Sequence, residues 1–359
     1  MLKLNLFLPL FLIAALLPSC ASAPEAKPSQ ASVGDRLIIT DTTTPDKQAG
    51  IAAIQQKDYT NAQTSLKASL NTTTNDPEAR IYLNNAIALS GKYFKLAVVI
   101  PGESDIGMSK EILRGVAQSQ QEINDNGGVN GNKIVYAVVV DNDKANTGKD
   151  VARSLVSDKE VLGVIGHVSS GTTLATAEIY GPGKLVAISP VSSAVQLSNK
   201  SPYVFRTIPS DAVAGKTLAA HVLKQNRKTA VVFFNSQSEY SKSLKTEFTN
   251  NLTQNNGRVI TEVDISSPNF SAAQSLEQAT QKGADHILLA GSTDSLDRAL
   301  QVITANALKL PIVAGDALYS SKTLEITRQQ SSGMVIAVPW HILADLSSTF
   351  PERAQKGVA

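Results

Sequence analysis

From Phe94 onward the chain alternates between apolar runs of strand length and amphipathic runs of helix length, and few folds accept that pattern. FKLAVVIP at 94–101 has strand character, and SKEILRGVAQSQQEIND at 109–125 has helical spacing that closes on Gly127-Gly128. NKIVYAVVVD, TAVVFFN, RVITEVDI, HILLAG, LPIVAGD and GMVIAVPW continue the strands. GKDVARSLVSD, GKTLAAHVLKQ, YSKSLKTEFTNNL, AAQSLEQATQKG, SLDRALQVITANA and SKTLEITRQQ continue the helices. Alternating units of this kind predict an α/β protein with parallel, doubly wound sheets. The strands are too many for one small sheet, and Ile208-Pro209-Ser210-Asp211 is a natural crossover. Two Rossmann-like lobes are therefore expected, at 93–208 and 209–335, with the ligand cleft at the carboxyl ends of the strands. Residues 336–359 are expected to return toward the first lobe.

Within the first lobe, residues 161–211 carry the strongest chemical signal. Twice, in VLGVIG-HVSSG and LVAISPVSSA, an apolar run stops at a hydroxyl-rich turn and gives way to helical spacing. Such a turn offers free backbone N–H groups, Ser hydroxyls and the positive end of a helix dipole. Two of them side by side suit one small anion, such as a carboxylate. Ser169, Ser170, Ser192 and Ser193 also suit plain helix capping, for which Ser is favoured on its own account. His167 is expected to hold its turn through a backbone hydrogen bond.

The N-terminus has the form of a targeting segment. Lys3 precedes an apolar stretch, Leu6 to Leu17, too short to span a bilayer as a mature helix. Leu17-Pro18-Ser19-Cys20 resembles the bacterial lipoprotein cleavage box, which implies a signal peptide over 1–19 and lipidation of Cys20, the sole cysteine of the chain. A lone Cys at that boundary fits acylation better than redox or metal work. Residues 20–46, rich in Ala, Pro, Ser and Thr and interrupted by RLIIT, read as a flexible tether. Residues 47–91 have helical spacing, and Gly50, Tyr59, Ala62, Leu66, Ala68, Leu70 and Pro77 resemble the tetratricopeptide pattern. The segment is shorter than the roughly three repeats that fold independently, so a helical hairpin docked on the next domain is expected. A formal net charge of +2 without a basic stripe excludes a nucleic-acid footprint.

From about 94 to 340 the chain resembles the type I periplasmic binding proteins of the leucine/isoleucine/valine-binding group, receptors of branched-chain amino-acid ABC importers. The matching landmarks are QEINDNGGVNGNKI, VIGHVSSG, ISPVSSAVQLS, YVFRTIPSDAVAG and PIVAGDALYSS, in that order. The resemblance implies that Ser170 and Ser193 hold a ligand carboxylate, with Val191 supplying backbone contact and Ser169 beside them. It implies that Asp316 takes the ligand ammonium and that Tyr240 is the aromatic of the second-lobe turn. Each also has a plainer reading: Asp316 as a turn former, Tyr240 as a packed aromatic. The chain departs from the family at Ile106, where an aromatic is usual, and Glu103 and Asp105 beside it are expected to favour a more polar or cationic ligand. GSTDS at 291–295 lacks the tyrosines some members place there. The family continues beyond the point where this chain stops, so the C-terminal part of lobe one is expected to be missing and that lobe incompletely covered.

An enzyme is disfavoured. Ser169, Asp316 and His341 follow the Ser…Asp…His order of α/β-hydrolases, but His167 stands where the nucleophile elbow needs its first Gly. DNDKANTG at 141–148 echoes a calcium loop with Asn146 at the obligatory Gly, and no HExxH, CxxC or Walker sequence occurs, so no metal or cofactor is expected. The expectation is a lipid-anchored solute receptor on the periplasmic side of the envelope. It would capture an amino acid by lobe closure and deliver it to an ABC permease. The alternative is an envelope interaction lipoprotein resembling the activators of peptidoglycan synthases, in which the same fold serves without transport.

Overall fold

The computed structural model describes residues 31–352 apart from Thr42, Ile342, Leu346 and Phe350, so the signal segment and Cys20 lie outside the described residues. The described chain opens with three helices, α1 (Pro45–Gln55), α2 (Tyr59–Thr72) and α3 (Pro77–Ala88). Thr44, Asp58 and Asp76 cap them in turn, and proline at the first helical position starts α1 and α3, where the missing N–H costs nothing. Gly50 lets α1 approach α2, since a Cβ there would lie 2.6 Å from Leu66 Cγ.

Lobe one follows. Its strands are β1 (Tyr93–Ile100), β2 (Lys133–Val140), β3 (Val161–Ile165), β4 (Ala187–Ser189) and β5 (Val204–Arg206). They pair in parallel in the order β2-β1-β3-β4-β5, linked by α4 (Ile106–Asp125), α5 (Ala145–Ser157) and α6 (Ser170–Gly183). α5 and α6 cover one face, burying Ala152, Leu155 and Tyr180 against Val161, Val164 and Ala187. On the other face α1 to α4 share a single core with β1 and β2, in which Ile54, Leu66, Tyr82 and Leu113 meet Val98, Ile100, Tyr136 and Val138. The first three helices are thus part of lobe one's core. Beyond them Leu162, Ile188 and Phe205, along β3, β4 and β5, are exposed.

The stretch expected to be a free tether is fixed over residues 31–41. Ser32 forms an antiparallel bridge with Val138, and Ile39 is buried. Glu78 accepts from the N–H groups of Ile38 (2.6 Å) and Ile39 (3.2 Å), and Tyr82 donates to the Arg36 carbonyl (2.7 Å). Behind Glu78 stands a fully buried cation: Lys47 Nζ lies 2.8 Å from both Asp76 and Glu78. Asn85 completes the cover of the β2 edge, donating to the Tyr136 carbonyl and accepting from the Tyr136 N–H. The physical reason is the edge itself: β2 has no strand beyond it, and its free backbone groups need partners.

Lobe two repeats the plan. Its sheet, order β10-β9-β8-β6-β7, is parallel and comprises β6 (Thr229–Phe234), β7 (Arg258–Asp264), β8 (His286–Ala290), β9 (Ile312–Gly315) and β10 (Val335–Ala337). α7 (Asp211–Lys224), α8 (Glu239–Gln254), α9 (Ala272–Gln281), α10 (Leu296–Asn306) and α11 (Ser321–Thr327) surround it, with β8 buried throughout. The start of the expected return segment, Ile336 and Ala337, instead pairs with β9 and closes this second sheet. β10 is three residues long and half-buried, and it lies in parallel register with Val313 to Gly315 at the end of β9.

Candidate functional site

The two hydroxyl-rich turns leave the carboxyl ends of β3 and β4 and lie against each other. Ser169 caps α6, its Oγ accepting from the Thr172 N–H at 3.2 Å, while its own N–H donates to Asp143. That work is capping, the plainer of its two readings. Ser170, the first residue of α6, is buried, and its Oγ accepts from the N–H groups of Ser193 and Ala194, both at 3.2 Å. Ser170 and Ser193, picked out as partners around one anion, therefore sit together. Val191 lies on the same turn, partly buried against the lobe-one core, its N–H aimed at Ser189 Oγ (3.4 Å).

A second layer locks the pair of turns. Ser189 Oγ donates to the His167 carbonyl (2.6 Å), and Ser192 Oγ donates to the Val168 carbonyl (2.9 Å) and meets Thr173 Oγ1 (2.7 Å). His167 differs from expectation. Its side chain does not bond the backbone but stands buried between Asp141 (2.6 Å from Nδ1) and the Tyr180 hydroxyl (2.8 Å from Nε2). Burial and the nearby Asp141 push the Tyr180 hydroxyl far up, so it stays protonated.

Lobe two contributes the opposite chemistry. Tyr240, at the start of α8, donates its hydroxyl to Asp316 Oδ1 at 2.6 Å, in the turn after β9. Gly315 makes this contact possible, because a Cβ there would collide with the Tyr240 hydroxyl and Leu244. Burial raises the Asp316 carboxyl, and burial with Asp316 alongside raises the Tyr240 hydroxyl well above its ordinary value.

A residue that sequence reasoning passed over links the halves. Asp211, read only as part of the crossover, begins α7 and is buried. Its N–H donates to the Ser193 carbonyl (2.9 Å), and Arg206 donates to that carbonyl (3.1 Å) and to that of Ala194 (2.9 Å). Its carboxyl meets the hydroxyls of Ser193 and of Ser243 on α8 and faces the charge of Asp316, and burial pushes it up to about 6. Ser243 Oγ also accepts from the Val195 N–H at 3.0 Å, so this helix of lobe two is joined to lobe one's second turn. The signal available in the sequence was an Arg and an Asp five residues apart inside an otherwise apolar, Pro-containing crossover.

The acids expected to colour the first loop serve elsewhere. Glu103 accepts from the Thr40 hydroxyl (2.6 Å), and Asp105 caps α4 through the Met108 N–H (2.9 Å). Both carboxylates thus have local partners in the chain. The GSTDS turn forms a polar network in which Asn235 donates to Ser292 (3.0 Å) and to Asp294. Ser169, Asp316 and His341 do not form a triad: Ser169 bonds Thr172, Asp316 bonds Tyr240, and His341 packs on the Tyr319 ring. Among the described residues no cluster of His, Cys, Asp or Glu suits a metal.

Two parallel α/β lobes meet here, with hydroxyl-rich turns on one and a buried acid on the other. The chain belongs to the periplasmic binding protein family, whose model matches residues 95–352. It is 23% identical over 228 residues to the leucine-specific-binding protein of Salmonella typhimurium, covering 63% of this chain and 62% of that one. It is 21% identical over 226 residues to the Leu/Ile/Val-binding protein of Escherichia coli, covering 61% of it. The chain thus spans a little over three-fifths of the length of these curated relatives, which are binding proteins and not enzymes. Among solved structures, a leucine-binding protein from Thermotoga maritima superposes with a TM-score of 0.63 at 22% identity, covering 73% of this chain and 75% of that one. A solute-binding protein from R. palustris in complex with 4-hydroxybenzoate superposes at 0.66 with 15% identity, covering 75% and 74%.

Proposed function

We propose that this protein is a lipid-anchored receptor on the periplasmic side of the envelope that captures a branched-chain or related amino acid and delivers it to an ABC permease. The observation that carries the reading is the meeting of Ser170 with the Ser193 and Ala194 N–H groups in one lobe, opposite the Tyr240–Asp316 pair in the other. Hydroxyls and N–H groups suit a carboxylate, and a buried carboxylate suits an ammonium. Val191 completes the wall of the anion half, Ser169 fixes the helix end that faces it, and Tyr240 orients Asp316. Lobe closure removes water from both handles, which strengthens each contact. Cys20 supplies the membrane anchor. Leucine and 4-hydroxybenzoate, the ligands named for two of these relatives, share a carboxylate and differ in the ammonium, which accords with a site whose anion half is the better built of the two.

The second reading, an envelope interaction lipoprotein, draws on α1 to α3, which share lobe one's core and extend the lobe beyond the binding fold. A thermal-shift screen separates the two. L-leucine, L-isoleucine, L-valine and 4-hydroxybenzoate are tested at millimolar concentration; stabilisation by at least one supports the receptor, and none by any of the four favours the interaction protein.

A further inference from the structure

We infer that Asp211 is a proton-linked latch between the lobes, carrying a proton when they are together and losing it when they part. The inference rests on the receptor reading only for its biological use, since the latch is a property of the lobe contact itself.

Three features of the contact support it. Asp211 is 1% exposed, and its Oδ2 has no hydrogen-bond partner among the described residues. A buried, ionised oxygen without a donor carries a heavy desolvation penalty, which a proton removes. The hydroxyls around it come from both lobes: Ser193 from the turn after β4, Ser243 from α8. Both hydroxyls, as donors, favour the ionised form, so it is burial and the unpartnered Oδ2 that hold the proton. The charged and titratable groups facing it are Arg206 on β5, Asp316 in the turn after β9 and Tyr240 on α8. Arg206 favours the ionised form, but its guanidinium is already committed to the carbonyls of Ser193 and Ala194, while Asp316 opposes ionisation directly.

The consequence has a definite sign. With the lobes together the carboxyl titrates near about 6. With the lobes apart it is solvated and returns toward the ordinary value of about 3.9. Closure therefore takes up a proton between those values, and the closed form is favoured by acid: lowering the pH from 7 to 5 raises the closed-to-open ratio by about tenfold.

The test needs no ligand. Spin labels on the full chain at Arg153→Cys in lobe one and Gln278→Cys in lobe two, with Cys20→Ser, report the interlobe distance by double electron–electron resonance. With Asp211 present, the closed population relative to the open one rises about tenfold from pH 7 to pH 5; with Asp211→Asn it does not change. Equal pH responses in the two chains, or none with Asp211 present, would overturn the latch. Should the Asn chain fail to fold, carboxyl carbon-13 titration of the parent and of Ser243→Ala decides instead. The Asp211 midpoint then lies near about 6 in the parent and higher without the hydroxyl; a midpoint in the ordinary carboxylate range refutes the proposal. A failure of L-leucine to bind would overturn the receptor reading and leave this one standing.

Discussion

Ser170→Ala separates the two things that hydroxyl does. Its Oγ accepts from two buried backbone donors, Ser193 N–H and Ala194 N–H, each at 3.2 Å. Alanine leaves both donors without that acceptor. An unsatisfied buried donor costs about 1–3 kcal/mol, and at 3.2 Å these bonds are on the long side, so the loss is taken as about 2–4 kcal/mol for the pair. For a domain of this size each kcal/mol moves Tm by about 2–4 °C, so Tm should fall by about 5–15 °C. Differential scanning calorimetry of the ligand-free chain at neutral pH measures this. Binding gives the second readout. A hydroxyl donating to a ligand carboxylate contributes about 1.5–3 kcal/mol, so titration calorimetry with L-leucine should show roughly ten- to a hundredfold weaker binding. An unchanged Tm would refute the account of how the two turns are joined. A lowered Tm with unchanged affinity would refute the ligand role of Ser170 and leave it a purely structural residue.

Three further perturbations follow from the same geometry. Lys47→Ala strips the cation from Asp76 and Glu78 in a fully buried cluster, and breaking such a pair costs about 3–5 kcal/mol; hydrogen exchange at Ile38 and Ile39 should speed up with the fall in Tm, and protection equal to that of the parent would show that the segment is held by other means. Gly315→Ala drives a methyl group into the Tyr240 hydroxyl and Leu244, so calorimetry should show both lower stability and weaker L-leucine binding, whereas parent-like behaviour would contradict the Tyr240–Asp316 packing. The raised Asp211 carboxyl makes the folded state hold a proton that the unfolded chain has released. Stability is then lost as pH rises from about 4 to about 6, by up to about 3 kcal/mol while the lobes stay together, and is flat above. Asp316 and Asp143 are raised by burial too and act in the same direction in both chains. Denaturant unfolding of the parent and of Asp211→Asn should therefore differ by that slope alone, and parallel pH profiles would remove Asp211 as its source.

The sheets were legible because each strand is a short apolar run that helices cover, a pattern written locally in FKLAVVIP or HILLAG. The two hydroxyl turns were legible for the same reason, as local breaks in that pattern. What could not be read lies in pairings between distant segments. RLIIT, in a Pro- and Thr-rich setting, looks unable to bury anything, yet Glu78, 40 residues on, receives the N–H of Ile38, and β2 supplies Val138 to Ser32. His167 is drawn to Asp141, 26 residues earlier, and not to the backbone beside it. Glu103 and Asp105 look free as sequence, but Thr40 and the start of α4 claim them. Asp211 is the instructive case. In the sequence it is only part of a crossover, and the approach of α8 and the turn after β9 turns it into a buried, partly unsatisfied carboxyl.

In the proposed receptor the two lobes hold the carboxylate and the ammonium of one small molecule. Isothermal titration of the full chain with L-leucine, 4-methylpentanoate and L-leucinamide tests it most directly, because the second lacks the ammonium and the third the carboxylate. L-leucine should bind saturably and each analogue at least about tenfold more weakly, since every charged hydrogen bond lost contributes about 1.5–3 kcal/mol. Equal affinity for all three, or heat from none of them, would contradict it.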